Sequence, residues 1–117
     1  MSGSVSYHAG LAAEDSVARY YAAHGHLIVA RRWRGRGGEI DLIAQSANET
    51  IFIEVKKSDS HAAAAQRVSE RQVRRLFDCA SEYMGTLEDG LNSYVRFDVA
   101  LVNAAGEIEV IENALAA

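Results

Sequence analysis

The chain has little of what marks the more specialised protein classes. Its 117 residues contain no proline and one cysteine, Cys79. A single thiol cannot close an internal disulfide, and no Cys/His grouping has zinc-site spacing. A reducing cytoplasm is therefore the expected compartment. No apolar run approaches the roughly 20 residues that a membrane-spanning helix needs. Residues 1–10 lack a basic start followed by an apolar stretch, so no secretory leader is expected. There is no internal repeat, low-complexity linker or heptad series. Positive charge is also scarce. Twelve bases face sixteen acids, for a formal net charge of −4. That total argues against nucleic acid, whose binders usually carry a basic surface.

What is present points elsewhere. Hydrophobic residues make up 49% of the chain and charged ones 24%. That composition suits one globular domain over residues 1–117, with residues 1–7 expected to be flexible. The charge is unevenly spread. Residues 1–75 hold eleven bases against eight acids, and residues 76–117 hold one base against eight acids. Any phosphate-facing surface therefore belongs to the first part of the chain.

Periodicity predicts a helix over residues 8–24, with Leu11, Ala18 and Tyr21 on one face and Val17 and Ala22 flanking. Gly25 follows as a C-terminal glycine. A strand from residue 27 carries Arg31, Arg32 and Arg34 beside Trp33, and glycines at 35, 37 and 38 make a turn. Residues 39–45 alternate, with Ile40, Leu42 and Ala44 on one face and Glu39, Asp41 and Ile43 on the other. After a polar hairpin loop at 46–50, residues 51–57 are apolar on both faces and read as a central, buried strand. A long helix is expected over 61–84, with Val68, Gln72, Leu76, Cys79, Ala80 and Tyr83 facing inward. Strands follow at 94–102 and 107–111, separated by a tight turn at 103–106. The expected fold is mixed α/β, in the order α, three strands, α, then a strand pair.

Charges inside that apolar framework carry the chemistry. Glu54 and Lys56 are two apart on the central strand, so they emerge side by side from one face. The 46–50 hairpin brings Asp41 alongside. Glu14 falls on the apolar face of the first helix, three residues after Leu11 and four before Ala18. Close carboxylates raise each other's pKa unless a cation lies between them. Magnesium or manganese meets that need with one or two carboxylates and several waters. A metal so held can activate water against a phosphodiester, while Lys56 stabilises developing charge. The candidate catalytic residues are Asp41, Glu54, Lys56 and Glu14, and the candidate metal ligands are Asp41, Glu54 and Glu14. Arg31, Arg32, Arg34, Arg36 and Lys57 are the candidate nucleic-acid contacts.

Asp41 followed by Glu54-Val55-Lys56 resembles the signature of the PD-(D/E)xK nuclease superfamily. The longer segments, Gly38-Glu39-Ile40-Asp41-Leu42-Ile43-Ala44, Phe52-Ile53-Glu54-Val55-Lys56, Arg96-Phe97-Asp98-Val99 and Ile111-Glu112-Asn113-Ala114, are similar to the bacterial YraN-type family of predicted endonucleases. The chain departs from that family's usual pattern at Lys57-Ser58 and at Arg71. The resemblance implies a restriction-endonuclease-like αβββαβ core with an extra C-terminal edge strand. It further implies a Mg2+- or Mn2+-dependent endonuclease acting on DNA, branched or damaged DNA included, for which a homodimer would supply one site per strand.

Plainer readings stand beside these. Glu54 and Lys56 also fit an ordinary ion pair. Glu14 fits a favourable partner of the helix dipole. The arginines at 31–36 fit a solvated edge that discourages strand pairing. Arg67, Arg71, Arg74 and Arg75 fit the wet face of the second helix. Arg96 and Asp98 read as an ion pair, and Cys79 as a small core side chain. Two other functions remain open: a catalytically inactive or partner-dependent nucleic-acid-binding module on the same scaffold, and a protein-interaction domain using the acidic C-terminal part.

Overall fold

The computed structural model describes residues 3–47, 49–57, 70–87 and 94–114. Helix α1 spans Gly3–Ala23 and is followed by strands β1 (Leu27–Gly35), β2 (Gly38–Ser46) and β3 (Glu49–Lys57). Helix α2 covers Glu70–Met84, and strands β4 (Tyr94–Val102) and β5 (Ile108–Ile111) close the order. One five-stranded sheet runs β1-β2-β3-β4-β5. Its neighbours are antiparallel except β3 and β4, which pair in parallel. A parallel pair needs a crossover, and α2 lies within that connection. This is the αβββαβ core with an added C-terminal edge strand.

The two helices cover opposite faces of the sheet. Ala13, Val17, Ala18 and Tyr21 of α1 pack on Leu42, Ala44, Ile51, Ile53, Ala100 and Val102. Leu76, Cys79, Ala80 and Met84 of α2 pack on Ile40, Ile43 and Phe52. β3 holds the centre because Ile51, Phe52 and Ile53 are fully buried, serving both layers in turn. On the α2 face, aromatic rings link the strands. Trp33 meets Tyr83 at 5.4 Å, Tyr83 meets Phe52 at 5.8 Å, and Phe52 stacks on Phe97 at 5.4 Å. Offset and edge-on contacts at these distances favour one arrangement of the layer.

Two expectations change, and one lies outside the described residues. α1 starts at Gly3 rather than residue 8. The region expected as the first half of a long helix, residues 61–69 with Val68 and Arg67, lies outside the described residues. The third concerns the faces of β2. Strict alternation puts Ile40 with Leu42 and Ala44, yet Ile40 packs with Ile43 under α2 while Leu42 and Ala44 lie under α1. The cause is in β1. Its register against β2 shifts between Ile28 and Ala30, and Arg32 adopts a φ of 47°. Bulges and left-handed residues of this kind turn a strand and switch its faces. The change of face in β2 falls at Asp41.

Candidate active site

β2 and β3 pair from Ser46↔Glu49 as far as Leu42↔Ile53, and then separate. Asp41 sits at that fork. Its Oδ2 accepts the Val55 backbone N–H at 2.8 Å, taking a donor that would otherwise lack a ladder partner. The turning of β2 thus directs the Asp41 carboxylate into the gap between the strands. Glu54 and Lys56 lie on the face of β3 shared with Phe52, and Lys56 Nζ is 3.1 Å from Glu54 Oε1. Their side chains are only 18% and 14% exposed, so this pair is not a solvated surface bridge.

Electrostatics single out Asp41. Burial, followed by the nearby Glu54 charge, pushes its carboxyl up to about 8. Glu14 adds to the rise, whereas the Val55 N–H and Lys56 oppose it. The Glu14 side chain is 16% exposed and points from α1 towards the sheet. Its carboxyl also titrates above the ordinary range, because burial outweighs the nearby Arg32. A buried acid kept neutral beside other acids is a costly arrangement that a bound cation would relieve.

The structure therefore brings Asp41, Glu54 and Lys56 to one place, with Glu14 close enough to be felt by Asp41. Among the described residues, however, no three His, Cys, Asp or Glu side chains gather into a ready metal cage. The donors that fit a hard divalent ion are the carboxylate oxygens of Asp41 and Glu54, and such an ion accepts two carboxylates plus waters. Glu14 stands at the edge of the set, 3.7 Å from Arg32 Nε.

The expected nucleic-acid contacts behave differently. Arg31 pairs with Asp15, Arg32 with Glu14, and Arg34 with Glu39 at 3.0 Å. These arginines of edge strand β1 are engaged by acids of α1 and β2. The Arg36 backbone N–H donates to Glu82 Oε2 at 2.8 Å, which ties the β1–β2 turn to α2, and its side chain is exposed. A Cβ at Gly35 would lie 2.3 Å from that same Glu82 oxygen, so a larger residue there would have to displace the Glu82 carboxylate. Lys57 is exposed at the end of β3.

Two features extend beyond the expected set. A cavity of about 140 Å³ opens beside Glu54, with Gly38 and Glu39 on the sheet side and Gln72, Val73, Arg75 and Leu76 on the α2 side. Gln72 on an otherwise apolar face was the signal for it. The second feature is Asp98, which is fully buried on β4. It accepts the Tyr21 hydroxyl at 2.7 Å, the Arg96 guanidinium at 2.9 and 3.0 Å, and the Asn113 N–H at 2.9 Å. Burial and this carboxylate raise the Tyr21 phenol above its ordinary value. Asp98 and Arg96 are an ion pair, as expected, but one built into a larger network that anchors the C-terminal turn.

Comparison with known sequences finds relatives along nearly the whole chain. The profile of the family described as "Uncharacterised protein family UPF0102" matches residues 13–102. A UPF0102 protein of Cereibacter sphaeroides strain KD131 is 59% identical over 117 residues, covering all of both chains. One of Roseobacter denitrificans is 50% identical over 113 residues, covering 97% of this chain and 88% of its own. One of Ruegeria pomeroyi is 49% identical over 112 residues, covering 96% and 91% respectively.

Proposed function

We propose that this chain, which belongs to the uncharacterised protein family UPF0102, is a divalent-metal-dependent endonuclease of the PD-(D/E)xK type that hydrolyses phosphodiester bonds in DNA. The observation that carries this reading is the fork of β2 and β3. It sets a buried Asp41 against Glu54, with the Lys56 ammonium on the same spot. Sheet strands do not ordinarily spend buried positions on mutually repelling acids, and perturbed carboxylates cluster where chemistry is done.

In this reading Asp41 and Glu54 hold magnesium or manganese. Such an ion, when bound, would supply a water of lowered pKa and neutralise charge on the phosphate. The chain's own groups do the rest. The Val55 N–H fixes one Asp41 oxygen and leaves the other for the ion. Glu54 holds the Lys56 ammonium in place until a phosphate competes for it, and Lys56 then stabilises charge developing on the phosphoryl oxygens. Glu14, whose charge is felt by Asp41, would help orient water at the site from the α1 side.

The test is cleavage of single-stranded, duplex and four-way-junction DNA by the purified protein in magnesium or manganese. Glu54→Gln should abolish cutting, and Lys56→Met should slow it by about 10²–10³-fold. Equal cutting by wild type and Glu54→Gln would defeat the proposal. The 3.1 Å Lys56–Glu54 contact and the lack of a third converging carboxylate among the described residues also suit a scaffold that binds nucleic acid without cutting it. Metal-independent DNA binding with no cleavage would select that second reading.

A further inference from the structure

Glu54 of the acid fork lines the cavity together with Gly38 and Glu39, and the opposite wall is α2. The arginines first expected to meet phosphate, on β1, each hold a carboxylate of this same chain. Those of α2 do not. Arg71, Arg74 and Arg75 are exposed and have no ion-pair partner among the described residues. Of the three, Arg75 lines the cavity, with Gln72 one turn before it on the same helix. An arginine presents a planar fork of donors that matches phosphate oxygens, and a glutamine amide offers both a donor and an acceptor.

We infer that the groove between α2 and the β2–β3 fork is the substrate channel, that Arg75 is its phosphate-contacting residue, with Gln72 as a positioning residue, and that it takes a strand unpaired at the reacting step. The inference rests on the nuclease reading for the identity of the acid wall. An anionic strand entering there needs positive charge on both sides. α2 provides it through Arg75, facing the Glu39 and Glu54 carboxylates of the other wall, and on that side Lys56, paired with Glu54, and a cation held by the fork would supply the rest. The strand must also reach Glu54, whose side chain is less than a fifth exposed and lines a recess of about 140 Å³. A backbone step or a lone base fits such a recess, whereas a base-paired helix presents its phosphates only from the outside. Substrates with single-stranded segments, flaps or junctions carry such a strand.

Binding tests this without relying on turnover. Fluorescence anisotropy with a labelled 20-nucleotide single strand and with the corresponding duplex would be measured over a salt series, with calcium replacing magnesium. The single strand should bind at least about tenfold tighter than the duplex. Arg75→Gln should weaken single-strand binding several-fold and flatten the salt slope by about 0.7, the value for one lost phosphate contact. Arg31→Gln, which removes an exposed and already paired arginine, should leave both nearly unchanged. Gln72→Ala should weaken single-strand binding without changing the salt slope. Equal affinity for strand and duplex would overturn the inference. So would an unchanged slope in Arg75→Gln, even if magnesium-dependent cleavage were observed. A flattened slope and strand preference in a protein that cuts nothing would uphold the channel and remove only the nuclease reading.

Discussion

Asp98 and Asp41 are two acids set into one sheet, and the protein treats them in opposite ways. Asp98 is surrounded by donors: the Tyr21 hydroxyl, two nitrogens of Arg96 and the Asn113 N–H. Asp41 receives one backbone N–H and faces Glu54 and Glu14, whose effect the nearby Lys56 offsets only in part. The first carboxylate is satisfied by the fold itself. The second is left short of positive charge and stays neutral until something supplies it. Full compensation marks a structural group, and deficit marks a site waiting for a ligand.

The largest expected effect tests this contrast directly. Asp98→Ala strands Arg96 and the Tyr21 hydroxyl, and should cost about 3–5 kcal/mol in urea denaturation. Asp41→Asn keeps an acceptor for Val55 and removes a repelling acid, so the metal-free protein should be as stable as wild type or more so. Equal destabilisation by the two changes would erase the distinction.

The next effect is a dependence on pH. The folded-state pKa of Asp41, about 8, lies above its ordinary 3.8. Its protonated form is therefore favoured by the fold. The stability it contributes is complete below about pH 4 and is lost as pH rises through 8. With metal chelated, the wild-type denaturation midpoint should fall between pH 5 and pH 9 relative to that of Asp41→Asn. Parallel profiles would show that Asp41 carries no such deficit.

The smallest effect concerns Thr50, which is 2% exposed and whose Oγ1 has no hydrogen-bond partner among the described residues. It is uncompensated like Asp41 but carries no charge and sits far along the hairpin from the fork. Thr50→Val should be neutral or stabilising by up to about 1 kcal/mol in the same urea experiment. A clear loss would show that a neutral unsatisfied group is also functional here.

Much of this was legible in the residues. Continuous apolar character placed β3 at the centre, and its i, i+2 spacing put Glu54 beside Lys56. The helical position of Glu14 sent it towards the sheet, and β4 fell at residues 94–102 as periodicity indicates. Other features depended on contacts distant in sequence. Nothing near Arg31, Arg32 or Arg34 shows that they meet Asp15, Glu14 and Glu39. Asp98 and Arg96 read as a local pair because Tyr21, 77 residues away, is invisible to local pattern. The change of face at Asp41 breaks the strict alternation of β2, so the periodicity of β2 alone cannot contain it.

The net charge of −4 shows where this division lies. By itself the sequence determined the order of elements, the burial of β3 and the presence of acids and a lysine within an apolar strand. These follow from local periodicity and from the cost of burying charge. Only the tertiary structure decided which arginines are consumed by internal acids and which face a groove. It also decided that Asp41, rather than Asp98, is the acid left without compensation. Electrostatic compensation is settled by neighbours in space, and in a sheet those neighbours come from other strands and helices.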